Sequence, residues 1–241
     1  AASVAELLQS FQPYHFAATD GADVPLVRVG SVHDGGYLLP ADYTKCEALI
    51  SGGISFNYDF EAEIAPCLPV YSYDKTVAEV PVAGVAHTPL HLNSYSLPGE
   101  FIRYPDILET HGLGGKRELM MKIDIEGAEF DFFHSVQPSH LNDVRILVVE
   151  FHMLDLCRHR FFQGLCMSLL NKILATHFVA HTHLNNVGSL ARCHGQLVPR
   201  VVEVTFLNRA HYKPLSPRNP WLHTLDAVDI PNRPAVYFRG D

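Results

Sequence analysis

Hydrophobic positions in this chain form short runs separated by glycine, proline and polar residues. Five of these runs have the length of strands, at 48–50, 70–73, 80–86, 119–125 and 144–151, and the last two are almost wholly apolar. Near-continuous apolar runs are typical of parallel strands that are covered on both faces of a sheet. We therefore predict a parallel sheet that contains these five strands.

Apolar residues at helical spacing lie around the predicted strands. Residues 3–12 begin with Ser3 and Glu6, which occupy the two positions of a capping box, and the segment 105–113 begins with a proline. Another helix is expected after Gly127, and a longer apolar stripe extends over 154–175. Strands that alternate with helices indicate an α/β fold with helices on both faces of the sheet.

Two further strands are predicted near the end of the chain, at 178–182 and 201–207. The segment between them is broken by glycines and is too short for a good crossover helix, so the two strands should form an antiparallel hairpin. The predicted fold is thus Rossmann-like and mostly parallel, with a C-terminal antiparallel hairpin. Residues 211–241 are rich in proline and show no periodicity, so we expect them either to wrap the surface or to be partly mobile.

One domain is expected, because 241 residues with 47% apolar content suit a single hydrophobic core. The core should occupy residues 46–210, preceded by a helix and a β-ribbon within 1–45 and followed by the proline-rich tail.

The β-ribbon is predicted from two short apolar runs on either side of an Asp-Gly turn signal at 34–35. Its role stays open between an edge or lid of the sheet and a ligand contact through Arg28, Asp34 or Tyr37.

The charge of the chain favours a small molecule as its partner. The formal net charge is −8 and no cluster of Lys or Arg is present, so a nucleic-acid backbone is not expected to bind. No apolar stretch reaches the roughly 18 residues of a membrane-spanning helix, and no basic-then-apolar leader opens the chain. We expect a soluble protein, in the cytoplasm unless a segment preceding Ala1 directs it elsewhere.

The cysteines do not indicate a zinc site or a disulfide framework. They are odd in number and scattered, without a CxxC pair, so free thiols are expected at Cys46, Cys67, Cys157, Cys166 and Cys193.

Polar side chains follow the two most apolar strands. Asp124 and Glu126 end the first of them, and Glu150 and His152 end the second. The carboxyl ends of parallel strands meet in one crevice, where ligands bind in open α/β sheets. We expect these four side chains to form a site, although Asp124 alone is also a suitable helix cap.

A second signal lies at the end of the first predicted strand. Gly52 and Gly53 stand where this strand passes into a helix, and Asp74 follows the next strand about twenty residues later. In nucleotide-binding α/β folds this spacing places an acidic group on ribose hydroxyls. An adenosine-like ligand is therefore predicted.

Roughly residues 26–207 resemble a known protein family. The segment KIDIEGAEFDFF at 122–133 resembles the KIDVEGAE signature of the FkbM-type methyltransferases, and SGGISFNYDFE, YSYD and RVGSVHDGGYLL are similar to a related branch of that group. The resemblance implies a class I methyltransferase fold and S-adenosylmethionine as cofactor.

The resemblance also implies roles for individual residues. Gly52, Gly53 and Ser55 correspond to the glycine-rich loop beside the methionine part of the cofactor, and Asp74 to the carboxylate on its ribose. Asp124 and Glu126 would line the methyl-transfer site. The usual acidic residue before the glycines is missing here, and either Asp59 or Glu61 is its possible replacement.

The expected reaction is O-methylation of a hydroxyl on a sugar or another small metabolite, which needs a group that accepts the hydroxyl proton. His152, supported by Glu150 and Asp124, is the first candidate base, and His183 is the second. Asn185 and Asn186 are expected either to bind the hydroxylated acceptor or to form a turn.

One alternative for the mechanism and two alternatives for the function stay open. A divalent cation held by Asp124, Glu126, Glu150 and His152 would polarise the acceptor in place of a base, although no metal is favoured. A noncatalytic domain that kept the fold is the second possible function, and an NAD-type oxidoreductase is the third.

Overall fold

The structure is a computed structural model that describes residues 3–236. Six α-helices lie in this range: α1 Val4–Gln9, α2 Asp59–Ile64, α3 Tyr104–Thr110, α4 Glu129–Ser135, α5 Pro138–Leu141 and α6 Arg160–Leu174. The strands are β1 Tyr14–Ala18, β2 Leu26–Gly30, β3 Gly36–Pro40, β4 Ala48–Gly52, β5 Val70–Tyr73, β6 Val85–Thr88, β7 His91–Leu92, β8 Phe101–Ile102, β9 Leu119–Ile123, β10 Val144–Phe151, β11 His177–Leu184, β12 Leu190–Cys193, β13 Gln196–Pro199, β14 Val202–Asn208 and β15 Tyr212–Pro217.

A seven-stranded sheet forms the centre, in the spatial order β6, β5, β4, β9, β10, β14, β11. Six of the strands are parallel, and β14 runs antiparallel to both of its neighbours. Numbered along the chain within this sheet, the order is 3-2-1-4-5-7-6, which is the order of the class I methyltransferase fold. The predicted fold class, including the terminal antiparallel hairpin, is therefore confirmed.

The central strands are buried because their sequences are apolar on both faces. Every residue of β9 and of β10 is buried, and helices pack on either side of them in two hydrophobic clusters. The chain order reverses between β4 and β9, which creates a crevice at the carboxyl ends of these strands.

One predicted strand is misplaced. The third strand is β6, at Val85–Thr88, and not 80–86. Pro81 has no backbone N–H to give to a ladder, and Gly84 adopts a φ of 86°. The backbone therefore turns before it can join β5.

The β-ribbon and the tail both pack against the rest of the fold more closely than the sequence suggested. β2 and β3 form the predicted hairpin, and its strand β3 is buried against the sheet, where Thr205 Oγ1 donates a hydrogen bond to the Leu38 carbonyl at 2.8 Å. In the tail, β15 pairs with β1 and most of its residues are exposed, so this part of the tail lies on the surface. Asp229, further along the tail, is buried. Residues 237–241 of the predicted tail lie outside the described residues.

Other local expectations agree with the structure. Ser3 and Glu6 form the capping box of α1, and the five cysteines are free. Within residues 3–236, no helix is both long enough and apolar enough to cross a bilayer.

His177, which is fully buried at the start of β11, should make the stability depend on pH. Its ring contacts the Val144 carbonyl at 2.9 Å, and burial lowers its pKa to about 4. As the pH drops, the His177 ring binds a proton in the unfolded chain before it does so in the folded chain. The free energy of unfolding should therefore fall by about 3 kcal/mol from this residue between about pH 6.5 and about pH 4. We expect urea unfolding of His177→Gln to show a shallower pH slope; an unchanged slope would contradict this.

Candidate active site

A cavity of about 680 Å³ opens at the carboxyl ends of β4, β5, β9 and β10. It lies at the point where the strand order reverses, and its volume is in the range of small-molecule sites. Its walls include Gly53, Asp74, Asp124 and His152, one from the end of each strand.

The glycine-rich loop after β4 is held against the end of β9. Gly53 has a φ of 73°, and a Cβ atom there would lie 1.5 Å from the Asp124 carbonyl oxygen, so only glycine fits. The Lys122 ammonium donates a hydrogen bond to the Gly53 carbonyl. This loop and the β9 terminus therefore form one unit.

Asp74 fixes the same loop from the other side. Its Oδ2 atom accepts hydrogen bonds from the backbone N–H groups of Ile54 at 3.0 Å and Ser55 at 2.9 Å, while Oδ1 accepts from the N–H and hydroxyl of Thr76 at 2.8 and 2.6 Å. Burial acts to raise the pKa of Asp74, but these bonds outweigh it and lower the pKa. All four acceptor positions of the carboxylate are thus in use within the protein.

Strained backbone surrounds the cavity. Ser55, Glu126 and Met153 have positive φ angles of 47°, 57° and 60°, and each follows a different strand of the site. Such conformations are costly for residues other than glycine and cluster where a binding site imposes them. The three loops therefore hold backbone conformations that are energetically costly and that set where their side chains lie along the cavity.

The structure brings Asp124, Glu150 and His152 together, as their strand-end positions predicted. His152 Nε2 lies 3.4 Å from Glu150 Oε1 and 3.9 Å from Asp124 Oδ1. It also lies 3.5 Å from Oε2 of Glu126, whose side chain is 88% exposed. The second oxygen of Asp124 accepts a hydrogen bond from the Tyr37 hydroxyl at 3.1 Å, so the β-ribbon contributes to the site.

Two buried carboxylates were missing from the predicted site. Glu129 Oε1 contacts His152 Nδ1 at 2.9 Å, and it accepts hydrogen bonds from the N–H groups of Ile125 and Gly127 at 3.1 Å. Glu203 on β14 lies opposite Glu150 in the sheet register. The sequence carried a signal for each: Glu129 ends the IEGAE motif, and Glu203 interrupts an apolar strand.

Burial and mutual repulsion set the charges in the cluster. Burial, followed by the charge of Asp124, raises the pKa of Glu150 to about 7. Burial and the charge of Glu150 raise the pKa of Glu203 well above its ordinary range. Burial acts to lower the pKa of His152, but Glu129 and Glu150 outweigh it and raise the pKa to about 11. In this arrangement His152 is a cation at neutral pH and has no lone pair for an incoming proton.

His183 is not part of the main cavity wall. It lies behind Glu203, where its Nε2 atom contacts Asp229 Oδ2 at 3.0 Å. Asn186 is buried, and its amide donates to the Ile230 carbonyl at 3.0 Å, so it holds the tail. Asn185 does reach the site, where it donates hydrogen bonds to Glu150 at 3.4 Å and Glu203 at 3.1 Å.

The remaining sequence candidates divide between the cavity wall and other positions. Glu61 is buried beside the glycine loop and accepts a hydrogen bond from Ser51 at 2.5 Å, whereas Asp59 does not line the cavity. Asp34 is on the wall, and burial, then Asp124, raises its pKa. Arg28 instead donates to the carbonyls of the ribbon turn.

No family model and no curated protein match this chain. Among solved structures it is similar to the N-methyltransferase NodS from Bradyrhizobium japonicum WM9, with 10% identity and a TM-score of 0.36, over 67% of this chain and 85% of that one. A variant of the 16S rRNA (adenine(1408)-N(1))-methyltransferase from Catenulisporales acidiphilia shows 10% identity and a TM-score of 0.34, over 80% of this chain and all of that one. The strand order of the central sheet identifies the fold.

Removing the Lys122 charge should destabilise the fold. Its buried ammonium lies 3.5 Å from Asp124, and Lys122→Met leaves that carboxylate uncompensated, which typically costs about 3–5 kcal/mol. Lys116→Met, which breaks an exposed pair with Glu47, should cost less than about 1 kcal/mol. Equal losses of unfolding free energy for the two variants in urea would show that the buried Lys122–Asp124 pair stabilises the fold no more than an exposed pair does.

Proposed function

We propose that this chain is an S-adenosylmethionine-dependent methyltransferase that methylates a hydroxyl group of a sugar or another small hydroxylated metabolite. The observation that carries the proposal is one cavity at the reversal point of a 3-2-1-4-5-7-6 sheet, with a glycine loop and Asp74 on one wall. Asp124, Glu150 and His152 form the opposing wall.

The cofactor has a suitable place beside the glycine loop. The cavity volume accommodates a nucleoside-sized ligand, and Gly53, Ser55, Asp74 and Thr76 line that side. Since Asp74 already accepts four hydrogen bonds, a ribose hydroxyl would take the position of the Thr76 hydroxyl, which leaves the two bonds to the glycine loop intact. When bound, S-adenosylmethionine supplies the methyl group.

The acceptor would lie against the carboxylates. Asp124 and Glu150 can accept hydrogen bonds from hydroxyl groups and orient them, and the same cluster receives the proton that leaves as the methyl–oxygen bond forms. Glu150 suits this role better than His152, because four carboxylates surround the imidazole and hold its proton. The acidic wall also disfavours phosphate-bearing acceptors such as nucleic acids.

One observation favours a noncatalytic binding domain as the second candidate. The Asp74 carboxylate is saturated by the protein itself, as expected of a loop that has become purely structural. Cofactor binding without turnover on any hydroxylated acceptor would support this alternative.

Calorimetric titration with S-adenosylhomocysteine tests the cofactor assignment. We expect binding to the wild-type chain and at least about tenfold weaker binding to Asp74→Ala, because about 1.4 kcal/mol of lost interaction has that effect. Asp23→Ala, which alters an exposed carboxylate, serves as the control. Equal affinity of Asp74→Ala and the control would remove Asp74 from the cofactor site, and NAD binding in place of the homocysteine product would overturn the proposal.

The acceptor wall should control turnover and not cofactor affinity. Glu150→Gln is expected to lower methyl transfer by about 100-fold or more, the usual range for loss of proton transfer. His152→Ala should also lower it, because the imidazole that orients Glu150 and Asp124 is lost, while the S-adenosylhomocysteine affinity of both variants changes little. Transfer of radiolabelled methyl groups to a panel of sugars and polyols measures the rate. Full activity of both variants would exclude the cluster from the reaction.

A further inference from the structure

His152 is oriented so that one ring nitrogen faces a group of carboxylates. Glu129, which is fully buried, holds Nδ1 at 2.9 Å. Nε2 then points to oxygen atoms of Glu150, Glu126 and Asp124, at 3.4, 3.5 and 3.9 Å. Histidines that bind metals typically give their other ring nitrogen to a carboxylate in this way, which fixes the tautomer and the ring orientation.

The spacing of these atoms fits a shared ion better than direct hydrogen bonds. Charge-assisted hydrogen bonds are about 2.7–2.9 Å long, shorter than any of the three Nε2 contacts. Two ligands that each lie about 2.1 Å from one ion are about 3.0–3.4 Å apart in octahedral or tetrahedral geometry. The ligand atoms of Asp124, Glu150 and His152 all lie within 4.8 Å of one another, so small side-chain shifts would bring them onto one ion.

The local charge also favours a cation. Asp124, Glu126, Glu129 and Glu150 surround His152, while Lys122 is 3.5 Å from Asp124 Oδ2, on the far side of that carboxylate. Oδ1 of Asp124, which faces His152, accepts no hydrogen bond from residues 3–236. The protein therefore directs an oxygen that accepts no hydrogen bond into the cavity beside Nε2.

We propose that Asp124, Glu150 and His152 bind a divalent cation of the Mg²⁺ or Mn²⁺ class, with the exposed Glu126 as a fourth ligand; the ion takes the place of the Nε2 proton of His152, which is released to solvent on binding. Carboxylate oxygens with one imidazole nitrogen are a donor set that such ions accept. The ion would hold the acceptor through its hydroxyl oxygen and lower the pKa of that hydroxyl, so that with the ion bound Glu150 is a ligand and the proton leaves to solvent. This role rests on the proposed methyltransferase function. The metal site itself does not depend on that function.

A second group of possible ligands, His183, Glu203 and Asp229, provides an internal comparison. There the histidine contacts Asp229 at 3.0 Å, a distance within hydrogen-bond range. The Arg28 side chain lines the same small space and supplies positive charge. This second group is satisfied by the protein alone, so we expect it to bind no ion.

The test uses the full chain, dialysed against EDTA and titrated with Mn²⁺ by calorimetry. We expect one ion per chain, with nitrogen coupling from an imidazole ligand in pulsed electron paramagnetic resonance. His152→Gln should abolish this coupling, and Glu129→Gln should weaken binding about 10- to 100-fold, as is usual when the carboxylate behind a ligating histidine is lost. Glu126→Gln changes only an exposed side chain and should weaken binding even if a buried variant fails to fold.

Two controls complete the design. His183→Gln alters the comparison group and Glu109→Gln alters an exposed helical carboxylate, and both should retain Mn²⁺ binding. Absence of Mn²⁺ binding, or binding that His183→Gln abolishes and His152→Gln does not, would overturn the proposed site. S-Adenosylhomocysteine is titrated in the same samples: its binding without Mn²⁺ overturns only the metal site, and Mn²⁺ binding without it supports the site and overturns the methyltransferase assignment.

Discussion

The buried ammonium group of Lys122 is the contact on which the arrangement of the site depends. It joins the Gly53 carbonyl of the loop after β4 to the Asp124 carboxylate at the end of β9, and its charge faces Glu61 and Glu150 as well. Burial acts to lower its pKa, but these carboxylates outweigh burial and raise it, so the cation persists. Without this charge, the two halves of the cavity would be held apart by repulsion between their acidic groups.

A second constraint acts on the other side of the site, where the tail closes the structure. Asp229 holds His183 and the N–H of Asn186, and the neighbouring Asn185 joins Glu150 to Glu203. The proline-rich tail thereby fixes a loop that lines the cavity. Both constraints act near the carboxyl ends of β9 and β10, so the sheet retains its apolar core while this edge becomes acidic.

The sequence predicted those features that depend on periodicity and on strand ends. The mostly parallel sheet followed from the alternation of strands with helices, and the meeting of Asp124 with His152 followed from the shared edge of parallel strands. Features that depend on tertiary contacts were not accessible. The hydrogen bonds of Asp74 require the loop conformation, the pairing of Glu150 with Glu203 requires the sheet register, and the burial of Asp229 in an aperiodic tail has no local signal.

A crystal structure of the chain with S-adenosylhomocysteine would test the central claim most directly, because it locates the ligand and the loops together. The account predicts the adenosine beside Asp74 and Thr76, and the sulfur facing the wall formed by Asp124, Glu150 and His152. A ligand bound outside this cavity, or one whose sulfur faces away from that wall, would contradict the assignment.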